Sequence, residues 1–295
     1  MNRTILIKLV SISLALVGGL ALGGCGPSNS GSPAPAAPAT ATERNVWTEA
    51  RVHSALQAAN PGYNGRAEFQ IDGGEVLALQ LSGTGVTNLA PLRQMSCRAL
   101  DLRQTAITDL APLAGMPLVE LYLEETPVTD LAPLARLPLQ KLYLSKCPVV
   151  DLTPLRGLPL VELNLVGTRV RDLQPLKGMP LQQLWLTETP VVDISPLAGV
   201  PLVSLTLHRT QVTDLRPLAG GGLQRLHIGE TPVVDLAPLK GLALTRLIFD
   251  PARVKSGLEV VRTMTTLTEL GLSFEDRMSP GEFWAATDAR VRLRP

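Results

Sequence analysis

From residue 75 onward, apolar and polar positions follow two rhythms that return together every 21 residues. One unit reads Leu118-Val-Glu-Leu121-Tyr-Leu123-Glu-Glu-Thr126-Pro-Val128-Thr-Asp130-Leu131-Ala-Pro133-Leu134-Ala-Arg-Leu137-Pro138. Its front half alternates apolar with polar, the period of a strand, so Leu121 and Leu123 face one side while Glu120, Tyr122 and Glu124 face the other. Its back half turns on Asp130-Leu-Ala-Pro133. An Asp carboxylate can accept from the free N–H groups that open a short helical turn, and Pro tolerates a helix start because it has no N–H to lose. The pattern predicts a strand, a bend through Thr126 and Val128, and a short 3-10 turn. Leu118, Leu121, Leu123, Val128, Leu131, Leu134 and Leu137 then converge on an interior.

The step holds along the chain. Leucines recur at Leu79, Leu100, Leu121, Leu142, Leu163, Leu184, Leu205, Leu226 and Leu247. The turn column runs Asn88, Asp109, Asp130, Asp151, Asp172, Asp193, Asp214 and Asp235, each followed three residues later by Pro. One coil cannot bury such a face, but a stack can, and a fixed period of this length marks a solenoid whose repeats touch only their neighbours.

L-x-x-L-x-L-x-x-T-x-V-x-D-L-x-P-L resembles the leucine-rich repeat, and is most similar to the short bacterial, internalin-like type. Two features depart from it. Thr stands where Asn is usual, at Thr84, Thr105, Thr126, Thr168, Thr189, Thr210 and Thr231, which implies a side-chain ladder of hydroxyls instead of amides. Each unit is also one residue shorter. The resemblance implies an α/β solenoid with a parallel β-sheet on the concave face and 3-10 turns on the convex face, capped at both ends. The flanks, Asn60-Pro-Gly-Tyr-Asn-Gly65 and Gly257-Leu-Glu-Val-Val-Arg-Thr-Met264 with Gly281-Glu-Phe-Trp284, look like those of leucine-rich modules fused to bacterial serine/threonine kinases. No Gly-rich phosphate loop or catalytic-loop motif of a kinase is present.

The flanks also predict the caps. Residues 46–59 carry Val46, Ala50, Val52, Leu56 and Ala59 at helical spacing, and residues 67–71 and 75–79 read as a hairpin around Asp72-Gly-Gly. Ser279-Pro-Gly-Glu282 is a capping-box helix start that brings Phe283 and Trp284 onto the last coil.

Ahead of the repeats lies an address. Residues 1–24 combine Arg3 and Lys8 with an apolar run from Leu9 to Leu22 and then small residues, as a secretory signal does. Leu22-Gly-Gly-Cys25 resembles the bacterial lipobox, which implies acylation of Cys25; the run is short for a membrane span. Gly26, where an inner-membrane retention signal would place Asp, directs the expectation to the outer membrane. Residues 26–43 hold a single charge, at Glu43, and no large apolar side chain, so they read as a linker. The organisation expected is a signal peptide over 1–24, a lipidated Cys and linker over 25–44, an N-terminal cap over 45–74, repeats over 75–273 and a C-terminal cap over 274–295.

Composition narrows the partners. The chain has 27 basic and 26 acidic residues, and loss of Arg3 and Lys8 with the signal leaves it near neutral. That balance gives no electrostatic footprint for nucleic acid. Cys97 falls in an inward column and Cys147 in the Thr column, two coils apart and too far for a bridge. One Asp per coil supplies too few ligands for calcium, and His208 with His227 lacks a third metal ligand. No Ser, Cys or Asp has the partners that a nucleophile needs. The expectation is a non-enzyme with no cofactor and no metal.

The outward strand positions are the candidate partner-binding residues: Asp101, Glu120, Tyr122, Glu124, Tyr143, Glu162, Asn164, Trp185, His208, Arg225, His227 and Arg246. They pave the concave sheet, the binding face of solenoids. Tyr122, Tyr143 and Trp185 share one column at expected intervals of about 5 and 10 Å. Tyr and Trp are favoured interface anchors. A monomeric protein that binds a protein ligand is the expectation, with glycan binding or a purely architectural envelope role as alternatives.

Overall fold

The computed structural model describes residues 46–292. The signal segment, Cys25 and the linker lie outside the described residues. Eleven strands form one sheet in chain order: β1 (Glu68–Asp72), β2 (Glu75–Gln80), β3 (Ala99–Asp101), β4 (Glu120–Tyr122), β5 (Lys141–Tyr143), β6 (Glu162–Asn164), β7 (Gln183–Trp185), β8 (Ser204–Thr206), β9 (Arg225–His227), β10 (Arg246–Ile248) and β11 (Glu269–Gly271). β1 and β2 are the antiparallel hairpin of the cap. From β2 to β10 every pair is parallel and in the register of the repeat, Leu100 beside Leu121 and Leu121 beside Leu142. Between β10 and β11 the partner of Leu247 is Leu270, so the last step is two residues longer. The helix α2 (Leu258–Arg262) occupies that longer connection.

Every inward residue of the unit at 118–137 is buried, as are its equivalents along the stack, apart from the exposed Gly221 in the Leu137 column and part-buried positions of the last coil such as Val254 and Val260. Short 3-10 turns such as Ala111–Leu113 and Ala132–Leu134 form the opposite side. The Asp column caps them as the sequence predicts. Asp109, Asp130, Asp151 and Asp172 each accept a bond at 2.8 Å from the N–H that opens the turn.

The threonine column behaves differently from the expected ladder. Thr105, Thr126, Thr168 and Thr189 each donate at 2.6–2.7 Å to the carbonyl three residues earlier in the same coil. A hydroxyl is too short to reach the neighbouring coil, so it closes its own bend. Cys147, which stands in that column, does contact the preceding coil, with Sγ 3.4 Å from Thr126 Oγ1.

The residue before each threonine, and before Cys147 in the same column, sits in the left-handed region. Glycine holds it twice, at Gly83 and Gly167, but Gln104, Glu125, Lys146, Glu188, Arg209 and Glu230 hold it with φ between 54° and 62°. That conformation is costly for residues with a Cβ. Side-chain bonds accompany it: Lys146 to Glu125 at 2.7 Å, and Arg209 to both Glu188 (2.8 Å) and Glu230 (2.9 Å).

Both ends are sealed. The helix α1 (Glu49–Ala59) buries Val52 and Leu56 and is capped by Thr48. Buried Asn60 uses its whole amide, donating to Leu56 and Asn88 carbonyls and accepting from the Thr87 and Asn88 N–H groups. At the far end α3 (Pro280–Arg292) begins with the predicted capping box, in which the Ser279 N–H donates to Glu282 at 3.0 Å. Phe283 of this helix is buried against Phe249.

Candidate functional site on the concave sheet

The parallel register stacks like positions, so Tyr122 lies beside Tyr143, Tyr143 beside Asn164, and Asn164 beside Trp185. The Tyr122 and Tyr143 rings stack with centroids 5.1 Å apart. Tyr143 and Trp185 are also in contact, at 5.9 Å, instead of the expected two strand spacings. Asn164 between them is short, and its Oδ1 accepts from the Val166 N–H at 3.1 Å, which leaves the space above it to the rings. Tyr122 donates to Glu120 at 2.9 Å and Tyr143 to Glu162 at 2.5 Å. Lys141 lies between these carboxylates, 3.3 Å from Glu120 and 3.8 Å from Glu162. Burial, reinforced by the carboxylates, pushes both phenols well above their ordinary range, so they remain neutral donors.

Towards the N-terminal end the face is closed. Asp101 has no exposed surface; it accepts the Arg103 guanidinium at 2.9 Å and 2.5 Å and the Arg103 N–H at 3.0 Å. The guanidinium then covers Tyr122, 5.8 Å from the ring centroid. Asp101, Glu120 and Tyr122 are therefore not open binding positions: neighbouring side chains bury all three. Glu124, beside them, keeps one oxygen buried without a hydrogen bond. Burial pushes its carboxyl up to about 7.

The C-terminal end is closed by a segment outside the repeats. Leu270 and Met278 exchange backbone bonds of 3.0 and 2.9 Å, which pin the base of the loop over 271–277. That loop reaches back two strands and sets Phe274 edge-on against His227 at 4.7 Å. His227 also stacks on His208 at 4.6 Å. Gly229 makes the room, since a Cβ there would lie 2.8 Å from His227 Nε2. His227 is only 5% exposed, so it too is removed from the open face. Both its ring nitrogens lack a hydrogen-bond partner. Burial, with a contribution from His208, lowers its pKa to about 4, so the ring is neutral at pH 7. Among the described residues no group of three His, Cys, Asp or Glu could hold a metal ion.

Between the closed ends Tyr143, Asn164 and Trp185 remain half-buried and reachable, with Glu162, His208, Arg225 and Arg246 alongside. A pocket of about 360 Å³ opens between Trp185 and Phe274, floored by Thr206, His227 and Ile248 and flanked by Arg225 and Arg246. Arg246 is ion-paired with Glu269, which also lies 3.6 Å from Arg277. Phe274, Glu269 and Arg277 are the contributors that the repeat pattern does not reveal. They follow the last regular coil, where the period no longer assigns a direction to a side chain.

No family profile and no curated protein sequence matches the chain. Solved structures do. An internalin (inlF) from Listeria monocytogenes superposes with a TM-score of 0.61 at 26% identity, over 75% of this chain and 67% of its own. This is an internalin-like leucine-rich repeat solenoid. An internalin C2 (inlC2) from the same organism is also similar to the leucine-rich repeat solenoid, with a TM-score of 0.56 at 25% identity, over 67% of this chain and 92% of its own. Among the described residues of the solenoid no helix is long and apolar enough to cross a membrane.

Proposed function

We propose that this internalin-like solenoid is a non-catalytic protein, lipid-anchored to the outer membrane through Cys25, that binds a protein partner through the middle of its concave sheet. The half-buried Tyr143–Trp185 pair carries the reading. Two large rings are in contact on the reachable middle of the face, with Glu162 beyond one edge and Arg225 and Arg246 beyond the other. Rigid aromatics of this kind supply contact area at low entropic cost. A non-catalytic role is supported by the cysteines: Cys97 and Cys147 are buried, and burial pushes the Cys97 thiol up to about 12.

Capture from an envelope extract tests the face. Full-length protein with Tyr143→Ala and Trp185→Ala is expected to lose its partner while melting within a few degrees of the parent. Equal changes at exposed Arg136 and Lys177 on the turn side should leave capture intact. Undiminished capture by the double variant would place the site elsewhere. Capture that ignores salt but needs Trp185 would favour a glycan over a protein.

The anchor is tested separately. Cys25→Ala should accumulate as a slower-migrating precursor that takes up no labelled fatty acid. Normal processing of that variant would rule out lipidation at Cys25.

A further inference from the structure

The register that stacks the tyrosines also places two arginines side by side. Arg225 and Arg246 are direct partners on β9 and β10. Like charges on adjacent strands repel unless a counter-charge is near. Among the described residues only Glu269 is ion-paired with this couple, and through Arg246 alone. It is bonded to Arg246 and shared with Arg277. Arg225 has no ion pair or side-chain hydrogen bond among the described residues, although its side chain is only half-exposed. Arg225 and Arg246 thus line the pocket between Trp185 and Phe274, and the one carboxylate beside them, Glu269, is already shared by Arg246 and Arg277. The loop acid Glu275 is exposed and makes no ion pair with any of them.

Shape adds a second constraint. A chain lying across the strands from Tyr143 over Asn164 meets Trp185 and then the pocket. Beyond it Phe274, held over β9 by the pinned loop, blocks further passage. The floor offers the Thr206 hydroxyl and the buried, neutral His227 ring, whose nitrogens have no partner. The track therefore ends in an aromatic-walled recess with an unpaired cation at its edge.

We propose that this recess seats the C-terminal carboxylate of an extended peptide, with Arg225 binding the carboxylate and Trp185 and Phe274 holding the last side chain between them. Arg246, tethered to Glu269, adds charge without being free to leave. A guanidinium matches a carboxylate through two parallel N–H bonds, which gives direction as well as attraction. The proposal rests on the concave sheet being a protein-binding face, and it names the chemical group recognised there.

The chain contains three histidines, so ring-labelled histidine gives a spectrum simple enough to follow in the full-length protein in detergent. N-acetylphenylalanine, with a free carboxylate, should shift the His227 signal saturably and leave His53, in the distant N-terminal cap, in place. N-acetylphenylalanine amide should bind at least tenfold more weakly. N-acetylaspartate α-amide, which carries its only acid on the side chain, should do no better than the amide. Arg225→Gln should erase the preference for the acid while the unchanged His53 signal reports an intact fold. Equal binding of acid and amide, no effect at His227, or a preference for the side-chain acid overturns the proposal. If Tyr143→Ala with Trp185→Ala still abolishes partner capture, only the carboxylate seat falls. If the acid preference holds but that capture is unaffected, only the broader reading falls.

Discussion

Leu163→Ala should destabilise the solenoid by about 2–5 kcal/mol, the usual range for emptying a buried leucine site. Leu163 is fully buried at the centre of β6, and its neighbours in register are Leu142 and Leu184. The strands on either side are fixed by the backbone ladder, so the stack cannot move inward to fill the hole. Asp172→Ala is the matched control. It removes the 2.8 Å bond to the Gln174 N–H but empties no core, so the loss should be nearer 0.5–2 kcal/mol, as for other caps. Urea unfolding followed by circular dichroism measures both. Equal losses would refute the view that neighbour packing dominates, and a calcium-dependent loss in Asp172→Ala would refute the capping role.

A second large effect is expected from pH, with two groups acting in opposite directions. His227 has a folded-state pKa lowered to about 4 from 6.5. The unfolded chain therefore binds the proton more readily. Its contribution to stability is full above 6.5, declines as pH falls through that window, and is lost by about 4. Glu124 has a folded-state pKa raised to about 7 from 4.5. The folded chain keeps that proton more readily, so its contribution is full below 4.5 and disappears as pH rises through 7. Each shift corresponds to about 1–3 kcal/mol once partial solvent access is allowed for. In the parent protein the slopes oppose one another between 4.5 and 6.5. His227→Phe should remove the acid-side loss, and Glu124→Gln should remove the neutral-side loss. Melting both variants from pH 4 to 7.5 separates them. Parallel curves for parent and variants would show that neither group titrates differently on folding.

The contrast between the coil and the site explains what the sequence could reveal. Leu121 and Asp130 are legible because each is repeated in register, and a period assigns every repeated side chain a direction. The same rule places Tyr122, Tyr143 and Trp185 on one file. It does not reveal that Asn164 is small enough for Tyr143 and Trp185 to meet across it, because that depends on ring tilt. Nor does it reveal that Arg103 folds back onto Asp101, which turns an expected contact residue into a fully buried one. Phe274 is the furthest from reach. It belongs to a single non-repeating loop, and its placement over His227 depends on the Leu270–Met278 pairing eight residues apart. The glycines at Gly83 and Gly167 did carry a readable signal: they mark the left-handed column that six other residues share.

The unbroken register gives the molecule a built-in ruler. Tyr143 on β5 and Arg225 on β9 are separated by four strand steps, about 19 Å along the sheet at ordinary strand spacing. Gain or loss of one 21-residue unit between them would alter that distance by one step, and would also part either the Tyr143–Trp185 contact or Trp185 from the rest of the pocket. The spacing of the two anchors is thus quantised. A lineage of such proteins can match partners of different length by counting coils, provided that the contact parted by each change is rebuilt on the neighbouring strand.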